Sequence, residues 1–260
     1  MLINGHELYV VQEGSPDAQV IFFLHQGLGS VQSWKGQISF FASHNFRVVA
    51  YDRWGYGHSA SRLQFSMPDF EDDLLDLRAI YDSLRIRQAV LIGHSDGGTI
   101  ALNYAARFPK SVLCVITVAA HIYAEAKMAS GIESVRIAYE TQPVFQQGLK
   151  RLHGEKTEAV FFDWYNGWSK PENLDWNIQA LLKRIRCPVL VVQGEEDEHA
   201  TPKHAEDIAR GIERSELWLV PGARHMLPQD IPEIFNIKAL SFIKGVRQRI
   251  GVDIAGVAAS

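Results

Sequence analysis

Only two cysteines, Cys114 and Cys187, occur in 260 residues. That is too few for the disulfide framework of a small secreted domain. Both fall in or beside apolar strand-like runs, where buried, reduced thiols are expected. An excess of charge of one sign is missing too: 26 Lys and Arg against 30 Asp and Glu leave a net charge of −4 and a pI of about 6.2. There is thus no electrostatic footprint for nucleic acid or an anionic membrane. No apolar run approaches the length of a membrane span. The start, Met1-Leu2-Ile3-Asn4-Gly5-His6-Glu7, lacks the basic region and apolar stretch of a signal peptide. A cytoplasmic location is the resulting expectation. No metal-ligand spacing is recognised, His199 and His204 near Glu206 and Asp207 included, and those two histidines are read as surface residues. No metal and no cofactor is expected.

What is present is a hydrophobic content of 47 %, enough to bury one large core with an inserted subdomain. Asn4-Gly5 suits a two-residue hairpin turn, which predicts an antiparallel pair within residues 2–12. Val20–Leu24, Phe46–Tyr51, Gln88–Ile92, Val112–Ala119, Ile185–Gln193 and Leu217–Val220 read as buried strands. Helical patterns alternate with them, including a stripe of Phe70, Leu74, Leu77, Tyr81 and Leu84 that starts near Ser66-x-x-Asp69. Strands alternating with helices at this rhythm argue a mostly parallel sheet covered on both faces, with ligands beyond the carboxyl ends of its strands.

The sharpest local signal is Leu91-Ile92-Gly93-His94-Ser95-Asp96-Gly97-Gly98, an aliphatic strand that breaks into glycines and resumes as a helix. A serine at such a bend projects away from the backbone. Gly93 and Gly97 leave room where strand and helix converge, and the helix aims its first N–H groups and positive dipole end at a developing oxyanion. This Gly-x-Ser-x-Gly elbow resembles that of the α/β-hydrolase superfamily, and the likeness extends over the chain apart from the middle and the last ten residues. It implies an α/β-hydrolase fold: a mostly parallel, eight-stranded sheet flanked by helices, with a helical cap inserted after strand six. Residues 1–120 and 186–260 would form the core and 121–185 the cap.

By the same resemblance, His25-Gln26-Gly27 matches the superfamily's His-Gly loop, although Gln26 stands where glycine is usual. The backbone N–H groups of Gly27 and Asp96 would then form the oxyanion hole, with Leu28 the alternative to Gly27. The acid lies three residues past the glycine closing a strand, which selects Asp197 over its neighbours Glu196 and Glu198. The base is His225, on the loop after the last strand. The order Ser95, Asp197, His225 is the one this fold uses. Asp52-Arg53-Trp54-Gly55-Tyr56-Gly57-His58-Ser59 resembles a further superfamily loop and is read as packing scaffold, with Trp54 near the pocket. His94 is expected to point away from the nucleophile, and His25 to precede the oxyanion loop without a role of its own.

The middle segment carries Phe145, Phe161, Phe162, Trp164, Tyr165, Trp168 and Trp176, which as a set favour an apolar substrate portion. Leu28, His121, Tyr123 and Trp164 are the candidate pocket residues. The function implied is hydrolysis of small to medium, largely apolar carboxylic esters through an acyl-enzyme. The alternatives are a carbon–carbon bond hydrolase of the meta-cleavage type and a silent binding protein on the same fold. A small-molecule ester is the expected partner, with no nucleic acid and no membrane. Monomer and homodimer both stay open, and Val252–Ser260, small and apolar, has no assigned role.

Overall fold

The computed structural model describes residues 1–249 and 251; Val252–Ser260 lies outside the described residues. Its strands are β1 (Leu2–Ile3), β2 (His6–Glu7), β3 (Val10–Glu13), β4 (Gln19–Leu24), β5 (Phe46–Tyr51), β6 (Ala89–His94), β7 (Val112–Val118), β8 (Val189–Gly194) and β9 (Ser215–Val220). The α-helices are α1 (Lys35–Ser43), α2 (Glu71–Ser83), α3 (Asp96–Arg107), α4 (Ala126–Thr141), α5 (Pro143–His153), α6 (Thr157–Ser169), α7 (Gln179–Leu182), α8 (Lys203–Gly211), α9 (Leu227–Asp230) and α10 (Pro232–Arg249). β3 to β9 form one sheet in the order β3-β5-β4-β6-β7-β8-β9, in which β3 is antiparallel to β5 and the remaining pairs are parallel.

The eight-stranded expectation is corrected to a seven-stranded sheet beside a separate two-stranded one. Asn4 and Gly5 both take positive φ, 46° and 88°, and close β1 onto β2 as a minimal hairpin. Leu8, 1 % exposed, then carries the chain into the core before β3 joins the sheet edge. The predicted pair over 2–12 is therefore cut short, and the helical insert follows β7, the seventh strand in chain order.

Central strands are buried on both faces, which is why they read as continuous apolar runs rather than alternating ones. One face packs on α2, α3 and α8 through Leu77, Tyr81, Ile100, Tyr104 and Ile208. The other packs on α1 and α10 through Ile38, Phe41, Phe235, Phe242 and Val246, with Trp34 just before α1. The stripe predicted for α2 is buried up to Tyr81, but the helix begins at Glu71, because Phe70 turns left-handed at φ 55°.

Between β7 and β8, α4 to α6 fold over the carboxyl edge of the sheet, where Tyr139, Leu149, Val160 and Phe161 share a small core with Leu28, Tyr56 and Phe65 from the strand-end loops. The two ends of this insert are stitched together. The Ala124 N–H donates to the Trp176 carbonyl at 3.0 Å and the Ile178 N–H to the Ile122 carbonyl at 2.8 Å, and Tyr123 faces Asn177 in an isolated antiparallel bridge. No helix among the described residues is long and apolar enough to cross a membrane.

Candidate active site

β6 delivers Ser95 at the predicted bend. Its backbone sits at φ 53°, ψ −119°, a region non-glycine residues seldom occupy. The conformation is held by the Ser95 N–H donating to the Val118 carbonyl at 2.8 Å, and by the Ser95 carbonyl accepting from Gly98 and Thr99 at 2.8 and 3.0 Å. The flanking glycines are sterically required. A Cβ on Gly93 would come within 2.1 Å of the Gly97 carbonyl oxygen, and one on Gly97 within 2.1 Å of that of Leu24.

The loop after β8 presents Asp197, 1 % exposed, to His225 on the loop after β9. His225 Nδ1 lies 2.8 Å from Asp197 Oδ2. That oxygen also accepts from Gln193 Nε2 at 2.8 Å, while Oδ1 accepts from the N–H groups of His199 and Ala200 at 2.8 and 3.2 Å. Burial alone would raise the Asp197 carboxyl. The hydrogen bond and charge of His225, together with the His199 N–H, outweigh it and hold the group well below the usual carboxylate range. An ionised carboxylate is acceptor-only, so a neutral His225 carries its proton on Nδ1 and leaves the Nε2 lone pair free as a base.

The neighbouring acids part company with Asp197. Glu196 is exposed, and Glu198 accepts the His225 N–H at 3.1 Å and an Arg224 guanidinium N–H at 3.2 Å. His94 is engaged with the main chain of His225, because its Nε2 donates to the His225 carbonyl at 2.9 Å.

Ser95, Asp96, His121 and His225 face one cavity of about 580 Å³, floored by Gln26, Gly27 and Leu28. Its roof is largely apolar, with Met128, Ile132 and Val135 from α4, Phe145, Leu149 and Leu152 from α5, and Trp164 and Trp168 from α6, and Arg151 of α5 brings one cation to the lining. Of the candidate pocket residues, Leu28, His121 and Trp164 line this cavity. Tyr123 does not. Its hydroxyl donates to Asp207 Oδ2 at 3.0 Å and its ring stacks on His204 at 4.1 Å, because the stitch to Asn177 turns it to the outer side of the insert. Trp54 is likewise absent from the lining and stacks on His6 at 3.9 Å.

The surface reading of His199 and His204 is overturned. His204 is fully buried behind Tyr123 and Glu125. His199 lines the cavity with its ring edge-on to His225, centroids 4.6 Å apart, because Asp197 Oδ1 grips its N–H and curls the loop inward. Two signals of the lining were present in the sequence. Met128, Ile132 and Val135, and Phe145, Leu149 and Leu152, repeat at helical spacing. A residue two places past an acid that anchors a turn also falls under that acid's reach. Among the described residues no group of acidic, histidine or cysteine side chains is arranged to hold a metal ion.

The site is bedded in buried histidines. Burial foremost pushes His94 down to about 3 and His25 and His121 well below the ordinary value. These rings stay neutral in the folded protein, whereas the unfolded chain protonates them below about pH 6.5. The unfolded state therefore binds more protons as pH falls, and stability drops by up to about 1.4 kcal/mol per pH unit for each ring, roughly 4 kcal/mol for the three. The melting temperature is expected to fall steeply from pH 6.5 to pH 4. The depressed Asp197 carboxyl extends the loss to still lower pH. A melting temperature flat across that window would contradict neutral burial of these histidines.

Comparison with known proteins identifies the fold family. A family model described as alpha/beta hydrolase fold matches residues 19–174. The chain is 31 % identical to the human protein named Serine hydrolase BPHL over 247 residues, covering 93 % of this chain and 84 % of that one. It is 28 % identical to the Bifunctional esterase/perhydrolase DCH of Acinetobacter calcoaceticus, covering 93 % and 97 %. Among solved structures, the enol-lactonase from Burkholderia xenovorans LB400 superposes with a TM-score of 0.77 at 19 % identity, over 94 % of this chain and 99 % of that one.

Proposed function

The chain belongs to the α/β-hydrolase fold family, and on that footing we propose that it is a serine hydrolase of small to medium, largely apolar carboxylic esters. The observation that carries this reading is the Asp197–His225 hydrogen bond of 2.8 Å on the wall of the cavity that also exposes Ser95 from its strained bend. In this reading His225 Nε2 takes the proton of Ser95 as Oγ attacks the ester carbonyl. Asp197 keeps the imidazole in the required tautomer and stabilises it once charged. The N–H groups of Gly27 and Asp96 receive the oxyanion. Collapse of the tetrahedral intermediate expels the alcohol, protonated by His225, and leaves an acyl-Ser95 ester that water cleaves by the same steps.

The aliphatic and aromatic roof supports an apolar acyl portion, and the printed names of the serine hydrolase and esterase relatives accord with ester cleavage. The helices of the insert act in this reading as the cap that sizes the substrate. Initial rates on p-nitrophenyl esters of increasing acyl length test it. Turnover is expected to peak at short or medium chains, with Ser95 labelled stoichiometrically by a fluorophosphonate. A protein that resists the label has no activated serine and sinks the proposal. A labelled protein that leaves every ester intact refutes ester cleavage alone.

A further inference from the structure

In the loop after β5 the Asp52 carboxylate ties neighbouring segments together, accepting the Val31 and His58 N–H groups, both at 2.7 Å. Its neighbour Arg53 does something else. The side chain is 1 % exposed and lies over the Tyr56 ring at 4.4 Å. Nη1 donates to Asp73 Oδ1 at 3.3 Å, while Nη2 donates both to the Gln26 carbonyl at 3.4 Å and to Asp96 Oδ2 at 3.3 Å. Gln26 precedes Gly27, and Asp96 follows Ser95. A single nitrogen thus spans the two segments whose N–H groups would receive the oxyanion.

In a trans peptide the carbonyl of one residue and the N–H of the next point in opposite directions. Whatever grips the Gln26 oxygen therefore also aims the Gly27 N–H. Besides Arg53, that oxygen accepts from His25 Nδ1 at 2.7 Å and from the Gly29 N–H at 3.2 Å. His25 Nε2 accepts the Arg53 N–H at 3.0 Å, so its proton must reside on Nδ1, facing Gln26. Among the described residues the Gly27 N–H meets no protein acceptor, and Gly27 faces the cavity. A Cβ on Gly27 would sit 2.8 Å from Asp96 Oδ2, so the two halves are in close approach. A buried cation on the carbonyl side also polarises the peptide and strengthens the donor on its far side.

We infer that Arg53 is a positioning residue that fixes the spacing of the two oxyanion donors and polarises one of them. The inference rests on the serine-hydrolase reading above. Arg53→Lys keeps the charge that faces Asp73 and Asp96 but loses the planar fork. It is expected to lower kcat on p-nitrophenyl butyrate by about tenfold to a hundredfold, with KM within about twofold of wild type. Affinity for butylboronic acid, which forms a tetrahedral anion when Ser95 Oγ adds to boron and passes its proton to His225, should fall by the same factor. A purely structural role would lower the melting temperature while leaving boronate affinity unchanged, and that result overturns the inference.

If Arg53→Lys does not fold, Asp96→Ala cuts the other end of the bridge and leaves Arg53 paired with Asp73. Boronate affinity lost there supports the bridge, and affinity retained refutes it. The two levels separate cleanly. Wild-type activity in Ser95→Ala means the parent reading has failed, whereas an inactive Ser95→Ala beside an unimpaired Arg53→Lys means the bridge alone has.

Discussion

Ser95→Ala is expected to lower kcat on p-nitrophenyl esters by about a millionfold while the protein melts within a few degrees of wild type. The size of the effect follows from what is removed. In the proposed mechanism Ser95 Oγ is the atom that forms the covalent bond, and without it the cavity would retain only binding and the two proposed N–H donors, leaving a residual acceleration of about 10³-fold over water. The stability stays because the side chain carries little of the bend. The turn is held by main-chain bonds to Val118, Gly98 and Thr99, and alanine meets the same φ of 53° with a Cβ that is already accommodated. Initial rates, fluorophosphonate labelling and a thermal melt decide the matter together. More than about 1 % of wild-type turnover in the alanine variant would remove Ser95 from the chemistry, since loss of a nucleophile leaves far less.

Asp197→Asn is expected to lower kcat by about 10⁴-fold, and the hydrogen-bond pattern shows why isosterism does not save it. The carboxylate takes donors on both sides: the His199 and Ala200 N–H groups at Oδ1, and Gln193 Nε2 and His225 Nδ1 at Oδ2. Asparagine has one acceptor oxygen with two lone pairs. The two main-chain donors cannot move away, so they claim that oxygen and turn the amide NH₂ towards Gln193 and His225. Gln193 can flip its own amide to offer an oxygen. His225 can answer only by moving its proton to Nε2, which faces Nδ1 to the amide as an acceptor and deprives Ser95 of its base. The variant should therefore keep its cavity and bind ester with near-normal KM. A loss under about a hundredfold would mean that Glu198, already bonded to the His225 N–H, takes over the role.

What the sequence made legible and what it hid divide along a physical line. Ser95, its glycines and the apolar strands announce themselves through short-range necessity: a bend of that sharpness tolerates few residues, and strands buried on both faces leave no alternation. Asp197 and His225 are singled out in the sequence by the resemblance to the superfamily, and the structure brings the two within 2.8 Å of each other. The inward turn of His199 is local, set by Asp197 two residues before it, whereas the places of His204, Tyr123 and Arg53 are hidden from the sequence because their surroundings come from remote segments. His204 is covered by Tyr123 from beyond β7, and Arg53 meets Gln26, Asp73 and Asp96 from three different elements. The roof was half visible. The apolar stripes of α4 and α5 are plain at helical spacing, but nothing along the chain says whether such a stripe faces a cavity or a core.

The seam at the root of the insert, where Ile122, Tyr123 and Ala124 lie against Trp176, Asn177 and Ile178, bears on how such a chain can diversify. Once that seam is closed, the segment above it is a loop pinned at its base, and doubling the length of a loop adds only about 0.6 kcal/mol of closure entropy. Helices can be lost, gained or rewritten above the pin without pulling on the strand ends that carry Ser95, Asp197 and His225. Two parts of one molecule are thereby exposed to selection at different tempos: the roof is free to drift toward new ligands, while the elbow and its partners are held fixed.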